Sequence, residues 1–332
     1  MNNEVTVGID IGGTNSVAGV VDRTGKCLAK GSIDTRQYPE IEGFIEALAS
    51  LVKKLISEAG VKYKVKGIGI GAPNGNCKRG SIENAPNLKW KGIIPLKELM
   101  QKYFNDIPIL ITNDANAAAL GEQVYGNAKD LSDFIVITLG TGLGSGFITA
   151  GKLMCGHDGF AGELGHTIAV VDGRPCGCGR RGCLETYASA TGITKTVIEL
   201  LEIRNTESVL RNVLTEGIDA KKIHEAACLN DPIALEAFEF TGKLLGRKLA
   251  DTVAITNPQA IFLFGGLANA GEYIFKPTRE SMKKNMMNIF KDTCRLLPSG
   301  VDENNAAILG ASALPWKAII KDNLYLCPGH HI

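Results

Sequence analysis

The chain has 332 residues, 45% of them hydrophobic, enough to bury two cores rather than one. Lys and Arg number 36 against 35 Asp and Glu, so nothing suggests a nucleic-acid partner or an acidic tail. No apolar run is long enough to span a bilayer, and the N-terminus lacks the basic-then-apolar pattern of a secretory leader. Nine cysteines is an odd number, and with no leader a reducing, cytoplasmic compartment is expected.

Residues 4–33 read as three strands, with a glycine turn after the first and a Thr24-Gly25 hairpin signal before the third. A helix follows in "EIEGFIEALASLVKKLISEAG", where Ile41, Phe44, Ile45, Leu48, Leu51, Val52 and Leu55 recur every three or four positions and Gly60 stands at the C-cap. Then come an apolar strand in "VKGIGIGAP", a loop to about Gly92, a helix near 95–104 and a buried strand in "IPILITND". The opening pattern recurs at 134–153, "FIVITLGTGLGSGFITAGKL", and an internal repeat of a long unit implies two similar domains. The second half is mostly helical. Asp231-Pro232 starts a helix to 256 with Leu235, Phe238, Leu245, Leu249 and Val253 on one face, followed by the strand "AIFLFGGLA". A helix over 272–290 and a small-residue helix in "NNAAILGASAL" complete the chain. No low-complexity linker divides it, so a domain boundary must be a hinge.

Asp10-Ile11-Gly12-Gly13-Thr14 and Leu139-Gly140-Thr141-Gly142-Leu143-Gly144 are both glycine-rich tips between strands. Backbone N–H groups at such tips can turn toward an anion. Neither is a Walker A loop, and "GTGLGSG" leads into a strand, which argues against a Rossmann dinucleotide site. Alone, each is an ordinary tight turn; together, with threonines beside the glycines, they suggest a two-sided phosphate clamp. Gly265-Gly266, ending a buried strand, reads either as a plain strand-to-helix turn or as a seat for a base or ribose.

"ILITNDANAAALGEQ" sets Asn113 and Asp114 at the C-terminal end of a buried strand, before a helix of alanines. An Asp here is ordinarily a helix N-cap. The competing reading is a general base, with Asn113 orienting the substrate, as phosphoryl transfer requires beside anion-cradling loops. Between Pro175 and Glu185, Cys176, Cys178 and Cys183 fall within eight residues and suggest a redox pair, a disulfide framework or metal-ligating thiolates. The reducing compartment disfavours the disulfide. Cys27, Cys77, Cys155, Cys228, Cys294 and Cys327 read as scattered core or surface thiols.

"DIGGTN", "ITNDANAAALGE", "LGTGLGSGFITAGKL", "GFAGELGH", "CGCGRRGCLETYAS" and "FLFGG" together resemble, in this order, the ROK (repressor–ORF–kinase) sugar kinases, over residues from about 5 to about 315. Among them the chain is most similar to bacterial glucokinases. The resemblance implies an α/β, two-domain actin/hexokinase-type ATPase (ribonuclease H-like) fold with an interdomain cleft. It places a smaller domain at 1–113 plus about 303–332, and a larger one at 114–302 carrying a zinc site. Asp10 and the backbone of Gly12, Gly13 and Thr14 would form the first phosphate segment, Asp10 holding the magnesium of Mg-ATP through water. Thr138, Gly140, Thr141 and Gly142 would form the second, and Gly265 and Gly266 would flank the adenosine. Asn87, Asn113, Glu163, His166 and Glu185 would bind the sugar, and Asp114 would be the catalytic base. One departure stands out: "NGNCKRGSIENAP" follows "GIGIGAP" where these glucokinases usually carry a glycine-rich turn, which bears on substrate choice.

With the resemblance, the cysteine segment reads as three ligands of a structural Zn2+ whose fourth is His166, ten residues before Cys176; His157 is the alternative. A catalytic zinc would keep an open position. The expected activity is ATP-dependent phosphorylation of the 6-hydroxyl of glucose. N-acetylmannosamine, mannose, allose and fructose are alternative substrates, because pocket contacts that spacing does not reveal decide among them. A sugar-sensing regulator is the other class; such repressors carry a helix-turn-helix ahead of the "DIGGT" segment, which here starts within ten residues of Met1. Sugar and Mg-ATP are the expected partners, and a homodimer or higher homo-oligomer is expected by resemblance.

Overall fold

A computed structural model of the protein describes residues 3–60 and 62–320; Cys327 and the end of the expected 303–332 segment lie outside them. Two five-stranded sheets share one strand order. In the first, β1 (Glu4–Ile11), β2 (Asn15–Asp22) and β3 (Cys27–Asp34) form a meander, and β4 (Lys64–Gly71) and β8 (Ile109–Thr112) follow β1 in parallel, giving β3-β2-β1-β4-β8. Between β4 and β8 lie β5 (Gly75–Asn76), β6 (Ser81–Glu83) and β7 (Ile93–Ile94), a small antiparallel sheet. The second large sheet comprises β9 (Phe134–Leu139), β10 (Leu143–Thr149), β11 (Lys152–Leu153), β12 (Ala260–Phe264) and β13 (Arg295–Pro298), in the order β11-β10-β9-β12-β13. The recurring glycine hairpin thus opens two sheets of the same topology.

The helices are α1 (Ile41–Ala59), α2 (Leu96–Gln101), α3 (Asp114–Val124), α4 (Ala190–Ile203), α5 (Ala220–Cys228), α6 (Pro232–Thr256), α7 (Glu272–Asn285) and α8 (Ala306–Ile320). The chain divides into two compact units: residues 1–132, 146–162 and 299–332, and residues 133–145 and 163–298. This partition differs from the expected 113/114 boundary, because α3 packs along α8: a Cβ on Gly121 would lie 2.9 Å from the Gly310 Cα.

In the first unit, Phe44, Leu48, Val52 and Leu55 of α1 are sealed in a core with Val7, Ile9, Ile68 and Ile70 of the sheet. Phe44 packs tilted against Trp90, with ring centroids 4.5 Å apart, and edge-on to Tyr38 at 6.0 Å. Burying such a side chain contributes about 1.5–3 kcal/mol. The small-residue helix α8 lies so close on the sheet that a Cβ on Gly8 would meet the Ile308 carbonyl at 2.0 Å. A bulkier residue there would force the helix away.

In the second unit β9, β12 and β13 run parallel. Asp231 caps α6, its carboxylate accepting from the N–H of Ile233 and Ala234 at 3.0 Å, with Pro232 at the first helical position. Phe238, Leu245, Leu249 and Val253 are buried as expected, but Leu235 is 36% exposed, because Ile233 and Ala234 fill the buried side of that first turn. The α7 helix stops at Asn285, short of the expected 290, where Met286 turns extended. No helix of the described residues is long and apolar enough to cross a membrane.

Candidate functional site

Parallel strands put their C-terminal ends on one edge of a sheet, where ligands of α/β folds bind. In the first unit the register pairs Asp10 of β1 with Gly71 of β4, and Gly71 with Thr112 of β8. The next residues after Thr112 are Asn113 and Asp114. Gly71 therefore stands in the row with no side chain; a Cβ there would lie 3.7 Å from Asp10 Oδ1 and 3.9 Å from the Asp114 Cα. Burial, and secondarily the negative charge of Asp114, push the Asp10 carboxyl up to about 6.

The two readings of Asp114 separate here. The N-cap of α3 is Asn113, whose Oδ1 accepts from the Asn116 N–H at 2.7 Å. Asp114 is the first helical residue, exposed, and its Oδ1 accepts from the N–H of its neighbour Ala115 at 3.0 Å. Its carboxylate is thus not committed to capping. Among the described residues, the Asn113 Nδ2 has no protein acceptor. Asn87 is exposed and sits over the first hairpin: a Cβ on Gly13 would lie 2.4 Å from its carbonyl oxygen.

The two glycine hairpins are built alike. In the first, the Gly12 N–H closes the turn on the Asn15 carbonyl at 3.1 Å. In the second, the Gly140 N–H closes on the Gly142 carbonyl at 3.1 Å. Among the described residues, the N–H groups of Gly13 and Thr14, and of Thr141 and Gly142, have no protein acceptor. Each turn therefore presents two consecutive open donors, the pattern of an anion nest. Asp10 and Thr138 occupy the same penultimate position of β1 and β9. The Thr138 hydroxyl accepts from the Gly144 N–H at 3.2 Å. Thr138 lies level with Phe264 on β12, so Gly265 and Gly266 follow at the same strand end. Gly265 has φ +99°, a conformation that favours glycine, and nothing lies within 4 Å of where a Gly266 Cβ would be.

Glu163, His166 and Glu185 come together within the second unit. Glu163 is exposed, and its carbonyl accepts from the His166 N–H at 3.1 Å in a single 3-10 turn. The chain after His166 pairs with the segment before Glu185 through an Ile168–Cys183 bridge, and the Thr167 carbonyl accepts from the Leu184 N–H at 2.9 Å. Residues 167–175, between His166 and the cysteines, form a bridged loop rather than a regular strand. Glu185 reaches the second hairpin: its Oε2 accepts from the Leu143 N–H at 3.1 Å, and a Cβ on Gly142 would lie 2.4 Å from that oxygen.

His166, Cys176, Cys178 and Cys183 place their ligand atoms within 4.8 Å of one another. Cys178 and Cys183 sulfurs are 3.6 Å apart, and the Cys176 sulfur is 3.6 Å from His166 Nδ1. A tetrahedral zinc with Zn–S near 2.3 Å puts neighbouring donors about 3.7 Å apart, so the donor set fits one. The Arg180 backbone N–H beside Cys178 draws that thiol down to about 6, against the opposing loss of water around it, while burial pushes Cys176 up to about 12 and Cys183 up. His157 lies in the other unit and is not in the group.

Sequence reasoning missed Arg174, because every hydrogen-bond partner of its side chain comes from 186–199. Its guanidinium donates to the Thr186 carbonyl at 2.7 Å, the Gly192 carbonyl at 3.1 Å and the Thr196 hydroxyl at 2.9 Å, and it pairs with Glu199. It also lies 4.4 Å over the Tyr187 ring. Arg174 thereby fastens the start of the cysteine loop to the turn that carries Glu185. At the departure after β4, Asn74 takes the left-handed conformation at φ 51°, and its Nδ2 donates to the Glu83 carbonyl at 3.0 Å. Asn, among side-chain-bearing residues, tolerates that conformation well, so the turn forms without the family's glycine-rich run.

The glucokinase of Streptomyces coelicolor is 37% identical over 285 residues, covering 84% of this chain and 87% of that protein. The glucokinase of Thermotoga maritima is 33% identical over 310 residues, covering 93% and 96%. Among solved structures, a ROK family glucokinase from Streptomyces griseus, in complex with glucose and AMPPNP, aligns with a TM-score of 0.76 at 34% identity, covering 93% and 98%. The fold is thus the two-domain α/β fold of actin/hexokinase-type ATPases. The sequence pattern of the ROK family matches residues 6–318, and with the motifs set at these strand ends the chain belongs to the ROK family.

Proposed function

We propose that this chain is an ATP-dependent glucokinase that phosphorylates the 6-hydroxyl of glucose with Asp114 as general base. The observation that carries this reading is the exposed Asp114 carboxylate, relieved of capping by Asn113 and set beside Asp10 across the side-chain-free Gly71. Asp114 accepts the hydroxyl proton as the oxygen attacks the γ-phosphorus and ADP departs. Asn87, the Asn113 Nδ2, Glu163, the second ring nitrogen of His166, and Glu185 hydrogen-bond sugar hydroxyls. The open N–H pairs of Gly13 and Thr14, and of Thr141 and Gly142, donate to phosphate oxygens. Gly265 and Gly266 flank the adenosine.

Asp10 would help to hold the magnesium of Mg-ATP, which when bound would neutralise phosphate charge. The raised Asp10 carboxyl fits that role, since a buried carboxylate without a cation is costly. His166 Nδ1 and the sulfurs of Cys176, Cys178 and Cys183 would hold a structural zinc, and a His166 ring bound through Nδ1 would have its tautomer fixed and its other nitrogen left for the sugar. The glucokinase relatives, and the glucose–AMPPNP complex of the Streptomyces griseus protein, support glucose and ATP as substrates. A coupled ADP-release assay over hexoses and N-acetylhexosamines tests it. The highest kcat/KM is expected for glucose, and a preference for an N-acetylhexosamine would overturn the substrate assignment.

A further inference from the structure

Cys77 and Cys155 are far apart in sequence and read there as unrelated thiols. In the first unit they meet. The residues on either side of Cys77 are both tied to the segment just after Cys155: the Asn76 Nδ2 donates to the Asp158 carbonyl at 2.7 Å, and the Lys78 ammonium to the His157 carbonyl at 2.8 Å. The backbone of that segment presses on the same loop, since a Cβ on Gly159 would lie 2.4 Å from the Asn76 Oδ1. Cys77 is thus held between two anchors, and its thiol is hydrogen-bonded to that of Cys155.

The two sulfurs are not equivalent. Cys155 is 2% exposed, while Cys77 is only partly buried. The Cys155 thiol, and to a smaller degree the Lys78 ammonium, draw the Cys77 thiol below the usual range. Elsewhere burial pushes Cys27 up and Cys294 up to about 12. A partly exposed thiol against a buried partner thiol is the arrangement of an attacking and a resolving cysteine.

We infer that Cys77 and Cys155 form a peroxide-sensitive dithiol, which closes to a disulfide and fastens the loop after β4 to residues 155–159. The Cys77 thiolate attacks one oxygen of hydrogen peroxide; the O–O bond breaks, leaving a sulfenic acid and hydroxide. The Cys155 sulfur then displaces the sulfenic oxygen, which leaves as water with the Cys155 proton. Two electrons pass from the thiols to peroxide, and a dithiol reductant reverses the step. This site stands independently of the kinase reading.

The test exposes the intact, metal-loaded chain to a graded dose of hydrogen peroxide, alkylates it, digests it without reduction and maps the peptides by mass. A Cys77–Cys155 peptide lighter by two hydrogens than its reduced parts is expected. It should appear before any modification of exposed Cys228, and dithiothreitol should abolish it. With Cys155→Ser, Cys77 should accumulate as a sulfenic acid trapped by dimedone. With Cys77→Ser, Cys155 should stay reduced at the same dose. A dose that oxidises Cys228 without giving the linked peptide would overturn the assignment, as would equal oxidation of Cys155 with and without Cys77.

Discussion

Replacing Asp114 by Asn tests whether this carboxylate serves chemistry or the helix. The structure separates the two, because α3 is capped by Asn113, whose Oδ1 holds the Asn116 N–H at 2.7 Å. The bond Asp114 accepts from Ala115 N–H, at 3.0 Å, can be kept by an amide oxygen. What Asp114→Asn removes is a negative charge in the first turn, worth about 0.3–1 kcal/mol to the helix dipole. Against this, the same change relieves part of the charge repulsion on Asp10, whose carboxyl should fall from about 6 while burial keeps it raised. The two effects oppose, so stability should change by less than about 1 kcal/mol. Loss of a general base costs about 10²–10⁴ in rate, roughly 3–5.5 kcal/mol of barrier. Urea unfolding and a coupled ADP-release assay on the same preparation measure both numbers. Turnover within tenfold of the parent would refute the base assignment. A stability loss of about 2 kcal/mol would instead mean that Asp114 is part of the cap.

Asn113→Ala is the complementary change: it should cost about 1 kcal/mol of stability through the lost cap, read as a lower urea midpoint. The raised Asp10 carboxyl makes the ligand-free fold bind its proton more tightly than the unfolded chain does. That contribution is full below the unfolded value near 3.8 and is lost as pH rises through about 6. Unfolding from pH 4.5 to 7.5 should show stability falling by on the order of 2 kcal/mol relative to Asp10→Asn, and a flat difference would contradict it. Chelation, or Cys178→Ser, should remove the fourth-donor geometry at His166 and raise the glucose KM about tenfold or more, with zinc content measured alongside. Unchanged KM with the metal gone would show that the cluster does not aim His166.

The parts of the molecule that were legible in the sequence are those whose cause is local. The α1 helix follows from apolar residues at helical spacing, and Gly60 stops it at φ +108°. The repeated hairpin follows from two glycine tips, and it pointed to two similar domains; that their sheets share one strand order is what the structure adds. What spacing does not carry is the choice among partners brought from elsewhere. Whether Asn113 or Asp114 caps α3 is decided by which residue first turns helical, a difference of one position. The domain division was displaced because α3 commits to α8, nearly two hundred residues on, through facing glycines at 121 and 310. Arg174 shows no signal in "GRPCGC", since its worth lies in the Thr186, Gly192, Thr196 and Glu199 groups that another loop delivers. The cysteine segment marks the boundary between the two cases. Its three thiols are counted from one loop, but the approach of His166 Nδ1 to the Cys176 sulfur, at 3.6 Å, goes with a 167–169 segment that folds back along 182–184. A donor set can be read from spacing when the loop itself supplies it; its orientation toward a substrate is a property of the pairing, and only the fold determines that.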